Sequence, residues 1–559
     1  MLPIRLSRQY LRLPLLSLAL ASAGAGCQSG DGVPARALDA MTVEGLTAHI
    51  EVLASDDFEG RAPASVGEQK TIDYLTAEFG RLGLEPGNAG SYVQQFPVVS
   101  ITSEPTALRV RGPKGRAAYN VGSEFVAWTR RVVPASAISN SDMVFVGYGT
   151  VAPEYEWNDY AGLDVRGKTV VMLVNDPGFA TKDPALFNGN AMTYYGRWTY
   201  KFEEAARQGA SGVFIVHETE PAAYPWAVVE NGFTGPQFGL VADDNNMSRA
   251  AVEGWVTVEA ARRIFEQAGM SYDSLKTQAS QRGFKAVPLG LEASVGLTNA
   301  IAQSSTSNVL AALPGSSRPD EFVVYMAHWD HFGRDTTLEG DQIYNGARDN
   351  ATGTAGLLEL AKAFATLEPR PARSMLFLAV GAEEQGLLGS AYYAANPVYP
   401  PTKTVAALNI DAMNIWGPTH DIMVVGYGNS ELDDVAEEAA HADGRVLRPD
   451  PEVEKGYFYR SDHFSFAKIG VPAFYADPGI DNIEHGEAWG LEQREKYTAE
   501  RYHKVTDEIG PDWDLRGAVA DLRFAFRMGY RLANEATFPN WREGTEFRAL
   551  RDSTMASTR

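Results

Sequence analysis

The sequence contains almost no cysteine: Cys27 is the one cysteine in 559 residues. A single thiol excludes an internal disulfide and a zinc cluster built from thiolates. If the protein binds a metal ion, histidine and carboxylate side chains must therefore hold it. The sequence also lacks a repeat at the periods of solenoid proteins, which argues against a stacked-repeat architecture.

Basic residues are outnumbered: 49 lysines and arginines stand against 71 acidic residues, giving a formal net charge of −22. This balance argues against nucleic acid and anionic membrane surfaces as partners and suits a soluble enzyme. Hydrophobic residues make up 45% of the chain and charged residues 21%, as in ordinary globular proteins. The chain is too long for one compact core, so we expect two or three domains.

Long apolar runs are missing after the first thirty residues, so no later segment is predicted to cross a membrane. Near the amino terminus, Arg5 and Arg8 precede the apolar stretch "LRLPLLSLALASAGAG", which ends in small residues directly before Cys27. This layout predicts a secretory signal over residues 1–27 that is too short to be a stable membrane anchor. The cysteine resembles a bacterial lipoprotein processing site, where it would be acylated; cleavage after "ASA" or "AGA" is the alternative.

These features predict an exported protein, located in the periplasm, in the outer membrane as a lipoprotein, or outside the cell. Lipidated Cys27 would be its only attachment to a membrane. Residues 28–40 have the composition of a short tether. Residues 41–122 and 293–545 are predicted to form the main domain, with residues 546–559 as a tail. Residues 123–292 are predicted to form an inserted, mostly β domain with one clear helix, "GRWTYKFEEAARQGA".

From about Asn308 the chain alternates apolar strands with amphipathic helices, which predicts an α/β sheet with helices on both faces. Three of the strands end in polar residues that can bind metal: His328, then Glu383 with Glu384, then Asp411. Open α/β sheets place ligands beyond the carboxyl ends of their strands. Two further candidates lie in the turn "ARDNATGTAG", which contains Asp349, and in "RYHKVTDE", which contains His503.

Each of these signals is weak alone, because a His-x-Asp pair is usually a surface feature and a Glu-Glu pair usually a solvated face. Their conjunction is stronger, since polar groups at the ends of buried strands are costly to bury without partners. Two histidines and three carboxylates suit two zinc ions better than calcium, which takes oxygen ligands only. Of two adjacent glutamates, one can bind metal while the other moves a proton.

Five segments in this order resemble the zinc-dependent aminopeptidases of metallopeptidase clan MH: "AHWDHFG", "ARDNATGTAGLLELA", "AVGAEEQGLLGS", "NIDAMN" and "YHKVTDE". Glutamate carboxypeptidase and transferrin receptor belong to the same clan. The resemblance covers about Thr42 to Asn534 and implies a mixed central sheet with helices on both faces. The stretch "GYGTVAPEYEWNDYAGLDVRGKTVV" is similar to the protease-associated domain that several clan members carry as an insert.

The resemblance implies two zinc ions per chain and assigns their ligands as His328 and Asp411 on one ion, Glu384 and His503 on the other, and Asp349 bridging both. It also implies that Glu383 is the general base and that Asp330 orients the imidazole of His328. His331 is then not a ligand. The alternative, a pair of His328 and His331 on one zinc ion, leaves the other segments unexplained.

The sequence departs from the family pattern at two places. Relatives have an acid where this chain has Arg348, which is expected either to pair with a carboxylate or to favour acidic substrates. The tyrosine that steadies the tetrahedral intermediate in some relatives is replaced by Phe458. Tyr457, Tyr459 and His463 are the candidates for its role in binding the substrate.

The resemblance implies an aminopeptidase that cleaves peptides at free amino termini through a metal-bridging hydroxide, with Glu383 as general base. The alternatives are a carboxypeptidase of the glutamate carboxypeptidase kind, a glutaminyl cyclase, and a binding module of the transferrin receptor kind. The cluster of carboxylates suits an ammonium group, and only Arg348 and Arg460 lie in the motifs near the pocket. We therefore expect amidation of a peptide's carboxyl end to matter little. The sequence leaves homodimerisation open.

Overall fold

The computed structural model describes residues 32–556. The predicted signal and Cys27 lie outside the described residues. In the part that is described, no helix is long and apolar enough to cross a membrane.

The strands are β1 Glu85–Pro86, β2 Val93–Pro105, β3 Leu108–Gly112, β4 Gly115–Tyr119, β5 Phe125–Trp128, β6 Ala135–Phe145, β7 Val151–Ala152, β8 Trp157–Asn158, β9 Thr169–Leu173, β10 Gly212–His217, β11 Gln237–Leu240, β12 Val252–Thr257, β13 Val287–Leu313, β14 Arg318–His328, β15 Gly333–Arg334, β16 Ile343–Tyr344, β17 Arg373–Val380, β18 Thr404–Asn409, β19 Asp421–Val425, β20 Val446–Pro449 and β21 Ala473–Pro478. The helices are α1 Ala35–Ala40, α2 Val43–Leu53, α3 Val66–Arg81, α4 Pro177–Thr181, α5 Trp198–Arg207, α6 Thr219–Ala222, α7 Trp226–Phe233, α8 Val258–Gln267, α9 Tyr272–Ala279, α10 Gly353–Ala365, α11 Leu388–Ala395, α12 Leu432–Ala442, α13 His463–Ala467, α14 Glu487–Glu500, α15 Arg516–Asn534 and α16 Arg548–Ala556.

The main sheet is mixed, with β14 at its centre. Strand β14 pairs in parallel with β17 on one side and with β18 on the other. The sheet continues from β18 through β21, β19 and β20, and from β17 to the antiparallel end of β13. Every residue of β17 and β18 is buried, which is why both strands are continuous apolar runs in the sequence.

Helices cover both faces of this sheet. One face packs against α2, α3, α10 and α15 through a core that includes Leu46, Phe79 and Phe526. The other face packs against the aromatic side chains of Phe464, Phe466 and Trp541. The predicted fold class, an α/β sheet with helices on both faces, is confirmed.

Two segments at the ends of the main domain are more ordered than the sequence predicted. Residues 35–40, assigned to the tether, form α1, where Ala37 and Leu38 are buried in the core. Residues 548–556, assigned to the tail, form α16, and its buried Arg551 donates hydrogen bonds to the carbonyls of Pro401 and Thr404. Both short segments bury few side chains, so their patterns were weak.

The strands of the inserted part continue the same 17-stranded sheet through β13, and two cores lie on the two faces of this portion. Strands β6, β9, β10 and β12 run parallel to one another, and β5 lies antiparallel at the edge. The predicted helix is present as α5, but α8 and α9 are helical as well. The pattern of α8 is Ala261, Ile264 and Phe265, a one-sided stripe typical of a helix that packs on a sheet. The domain boundaries and the match to a protease-associated domain stay predictions.

Parallel pairing brings the predicted metal-binding strand ends to one edge. His328 at the end of β14 lies opposite Val380 at the end of β17, and Met326 lies opposite Asn409 at the end of β18. The residues that follow β17 and β18 therefore emerge beside His328. This register positions the candidate site.

Candidate metal centre

The structure brings all five predicted ligands together. His328, Glu384 and Asp411 come from the three strand ends. Asp349 lies in the irregular turn Ala347–Thr352 before α10, and His503 lies in the loop between α14 and α15. The prediction from separate segments of the sequence thus corresponds to one cluster in space.

The carboxylate of Asp349 lies between the two histidines. Its Oδ1 is 3.3 Å from Nε2 of His328, and its Oδ2 is 3.3 Å from Nε2 of His503. The same nitrogen of His328 is 3.3 Å from Oδ1 of Asp411, and that of His503 is 3.3 Å from Oε2 of Glu384. Two ligands about 2.0–2.1 Å from a tetrahedral zinc ion lie about 3.3–3.4 Å apart, so the spacing suits one ion on each side of Asp349.

The electrostatics of the cluster favour cations. Burial raises the pKa of Glu383 and of Glu384 well above the ordinary value, and neighbouring carboxylates add to the effect. Burial lowers the pKa of His328, but Glu383 and Asp411 outweigh it and leave that pKa well above the ordinary value. Such shifts show that negative charge is in excess, and a metal ion would compensate it.

Asp330 holds the backbone around the cluster in place through hydrogen bonds. Its carboxylate is fully buried and accepts hydrogen bonds from the backbone N–H groups of Glu383, at 3.0 Å, and Glu384, at 3.4 Å. Nδ1 of His328 lies 3.2 Å from the carbonyl oxygen of Asp330 and 4.0 Å from its carboxylate. Asp330 therefore fixes both the imidazole, chiefly through its carbonyl, and the turn that carries the two glutamates.

Two further carboxylates belong to the site, although the sequence did not assign them a role. Asp507 accepts hydrogen bonds from the backbone N–H of Asp349 at 3.0 Å and from the hydroxyl of Tyr497 at 3.2 Å. Asp462 is buried near Glu383, and burial raises its pKa to about 7. Asp507 follows His503 by four residues, a signal visible in the sequence, whereas Asp462 had none.

Arg61 is a third residue that the sequence did not predict. Its buried guanidinium donates hydrogen bonds to the carbonyls of Trp329, Asn345 and Gly346, at 2.6–2.9 Å. These bonds tie the chain before Asp349 to the chain after His328. A lone arginine far from the other motifs carries no sequence pattern that would reveal this role.

His331 is close to the cluster without being one of the predicted ligands. Its Nδ1 lies 2.6 Å from Oε1 of Glu384, and its Nε2 is buried without a hydrogen-bond partner. Its donor atom groups with those of Asp349 and Glu384, whereas His328 groups with Asp349 and Asp411. The two histidines of "HWDH" thus face different sides of Asp349, which does not favour the alternative of both on one ion.

A cavity of about 520 Å³ is lined by Glu383, Glu384 and His503 and also by residues of the inserted part. Of the candidate substrate-binding residues, Tyr459 lines this cavity, and its hydroxyl donates to Glu546 at 2.9 Å. Tyr457 lines a different cavity. Tyr502, which was not predicted, lines the cavity beside the metal centre, and its ring stacks on His503 with 3.8 Å between centroids.

Two other candidates for substrate binding, His463 and Arg348, are buried and are not among the residues that line this cavity. His463 is buried between Phe458 and Tyr475, and burial lowers its pKa to about 3. Arg348 is buried too, and its guanidinium donates to the carbonyls of Ala412 and Met413 at 2.9–3.0 Å. The same group packs 4.8 Å from the ring of Trp416 and 4.4 Å from that of Tyr497. Arg348 therefore contacts carbonyls and rings instead of the carboxylate or acidic substrate that its charge suggested.

The fold and the cluster at its edge define an α/β protein with a two-sided histidine–carboxylate metal centre. Residues 308–526 match the model of peptidase family M28.

Relatives with curated descriptions match over short segments. Aminopeptidase NAALADL1 of Mus musculus is 35% identical over 129 residues, which are 22% of this chain and 16% of the relative. A probable zinc metalloprotease of Pyricularia oryzae is 46% identical over 89 residues, 16% of this chain and 17% of the relative. The chain thus spans about a sixth of the length of these relatives.

Among solved structures, the aminopeptidase from Aneurinibacillus sp. strain AM-1 has a TM-score of 0.47 and 18% identity, covering 90% of this chain and 97% of its own. The zinc aminopeptidase from Bacillus subtilis has a TM-score of 0.41 and 16% identity, covering 89% and 97%.

Gly346 allows the turn that carries Asp349 to approach His331. The residue has φ +53°, and an added Cβ would lie 2.6 Å from the imidazole ring of His331. We expect Gly346→Ala to lower the free energy of unfolding by about 1–3 kcal/mol through strain and to weaken metal binding. Gly340→Ala is the matched control, because Gly340 has φ +80° and open space around it. Equal losses of stability and metal affinity in both variants, measured by denaturation and metal titration, would contradict this role of Gly346.

Proposed function

We propose that the protein is an exported dizinc metallo-aminopeptidase that hydrolyses peptide bonds at free amino termini. The observation that carries the proposal is the position of Asp349, with one carboxylate oxygen 3.3 Å from each histidine. The match of residues 308–526 to peptidase family M28 supports a peptidase, and the relative described as a zinc metalloprotease supports zinc.

The donors of the cluster fit zinc, because they are nitrogen and carboxylate oxygen atoms about 3.3 Å apart on both sides of Asp349. His328 and Asp411 would hold one ion, His503 and Glu384 the other, and Asp349 both. Bound zinc would polarise the scissile carbonyl and make a water molecule acidic enough to lose a proton near neutral pH.

Glu383 is the residue to carry that proton. It lines the cavity next to the metal centre, while its backbone N–H is fixed by Asp330. Burial and the nearby carboxylates raise the pKa of Glu383, which makes its ionised carboxylate a stronger base. It can take a proton from the attacking water and then give it to the leaving amine. The carbonyl carbon gains the water oxygen, and the bond to the amine breaks.

The lining and charge of the cavity favour an exopeptidase that binds the free amino terminus of its peptide substrate. Trp198 and Phe202 of the inserted part line the same cavity as Glu383 and offer apolar surface to a bound peptide. The excess of carboxylates at the metal centre attracts the ammonium group of a free amino terminus. The alternative is a carboxypeptidase, which the arginines in the same cavity would suit.

Export and lipidation rest on the amino-terminal sequence alone. The charged and apolar stretch before Cys27 supports a signal, and the cysteine supports acylation. We expect mass spectrometry of the membrane fraction to find a diacylglyceryl group on an amino-terminal Cys27. A mature protein without lipid would refute anchoring while leaving export in place.

The two adjacent glutamates should respond differently to substitution. Glu383→Gln should lower kcat by about 10²–10⁴-fold, because a proton carrier is lost, with metal content unchanged. Glu384→Ala should instead empty one metal position. Metal analysis of purified variants alongside kinetics separates the two roles. The reverse pattern would mean that base and ligand are exchanged.

The proposed function is tested with metal-loaded protein and matched peptides. A peptide with a free amine should be cleaved at its amino end, and its acetylated form should not. Exhaustive chelation should abolish activity, and zinc should restore it. Asp349→Ala should lose more metal than any other single ligand variant, because it contacts both sides of the site. Full activity after chelation would refute the metal requirement, and faster cleavage of acetylated peptides ending in a free acid would favour a carboxypeptidase.

A further inference from the structure

The cavity beside the metal centre is rich in basic side chains, although the protein as a whole is acidic. Five of them line it: Arg130, Arg197, Arg249, Arg460 and Lys468. Three have evident partners. Arg249 pairs with Glu253 at 2.7 Å and Lys468 with Glu203 at 2.8 Å, while Arg130 donates to the carbonyl of Phe238.

Arg197 and Arg460 are different, because neither forms an ion pair with a carboxylate anywhere in residues 32–556. Arg197 is 8% exposed, and its Nε has no hydrogen-bond partner. Nε of Arg460 is also buried without a partner, while one of its terminal nitrogens donates to the carbonyl of Lys455 at 2.6 Å. Both side chains therefore keep unused donors at the cavity.

Arg197 and Arg460 line the same cavity, and their charges act on each other. Burial lowers the pKa of Arg197 to about 10, and the charge of Arg460 contributes to that shift. Both arginines also act on the pKa of Tyr224, which burial raises and their charges lower. Two like charges with unsatisfied donors are costly in a buried place unless an anion joins them.

A carboxylate is the anion that fits this arrangement. Guanidinium groups bind carboxylates through paired, charge-assisted hydrogen bonds, which makes arginine the usual residue for this task. The same cavity reaches Glu383 and Glu384, so a ligand held by the arginines extends to the metal centre. A volume of about 520 Å³ lies in the range of small-molecule sites, which suits a short peptide.

We propose that Arg197 and Arg460 form a subsite for a substrate carboxylate, so that the preferred substrates are short peptides with a free carboxyl end. The inference rests on the proposed function and deepens it: the carboxylates of the metal centre receive the amine, and the arginines receive the acid. It replaces the expectation from the sequence that amidation matters little. Arg460 was visible there as a candidate, whereas Arg197 lies in the inserted part.

Three dipeptides test the subsite in the metal-loaded full-length protein. Leu-Ala carries a terminal carboxylate, Leu-Ala amide carries none, and Leu-Asp amide carries only a side-chain carboxylate. We expect kcat/KM for Leu-Ala to exceed that for Leu-Ala amide by about 10–100-fold, mainly through KM, because charge-assisted hydrogen bonds are lost. A preference for Leu-Asp amide over Leu-Ala would reassign the subsite to an acidic side chain and overturn the terminal-carboxylate proposal.

Variants connect that preference to the two arginines. Arg197→Met and Arg460→Met should each reduce the ratio of acid to amide to about 3-fold or less, since a charge-assisted contact is removed. The ratio is insensitive to partial misfolding, because both substrates report on the same folded molecules. Arg166→Met is the matched control: Arg166 pairs with the exposed Asp164, and its loss should leave the ratio unchanged.

Binding measurements separate this proposal from the proposed reaction. Glu383→Gln should bind substrate while turnover is slowed about 10²–10⁴-fold. Calorimetric titration of this variant with Leu-Ala and Leu-Ala amide therefore measures the subsite even if peptide cleavage fails. Tighter binding of Leu-Ala that is lost when Arg197→Met is added supports the subsite. Equal affinity for acid and amide, or a preference that survives both arginine substitutions, overturns it.

Discussion

The structure depends on holding the carboxylate of Asp349 between two histidines in a buried place. Asp330, Glu383, Glu384 and Asp411 crowd the same edge of the sheet, so like charges repel one another there. Burial raises the pKa of Glu383 and Glu384, while the two histidines keep Asp349 ionised with its pKa well below the ordinary value. The fold can keep this arrangement only if rigid elements fix each group and if positive charge compensates the excess.

The backbone around the cluster supplies that rigidity. Three parallel strands fix the positions of their last residues. The carboxylate of Asp330 accepts hydrogen bonds from the backbone N–H groups of Glu383 and Glu384. Asp507 does the same for the turn of Asp349, and Arg61 joins that turn to the end of β14. Most of these contacts use backbone groups, so they do not occupy the carboxylates of the predicted ligands.

The sequence predicted the parts of the site that follow from pattern. Buried parallel strands are continuous apolar runs, so the polar residues that end them, such as His328 and Asp411, stand out. Arg348, by contrast, was expected to pair with an acid, yet its guanidinium packs on Trp416 and on Tyr497 of α14, which are distant in the sequence. Arg61 and Arg197 were missed because an arginine in a loop has no period, and only the folded chain shows what surrounds it. The helix α8 was not predicted, because the short apolar strands of that region are its most prominent sequence pattern.

Strand β13 has a mechanical consequence for substrate access. It runs for 27 residues through the 17-stranded sheet, and β2 pairs with it from Val93–Val309 to Pro105–Leu297. The inserted part therefore joins the main domain through a hydrogen-bonded ribbon, which resists stretching and sliding but can bend and twist. An opening of the cavity that separates Arg197 from Arg460 would bend or twist this ribbon. The length of peptide that the cavity admits would then depend on the stiffness of β2 and β13 instead of on a flexible hinge.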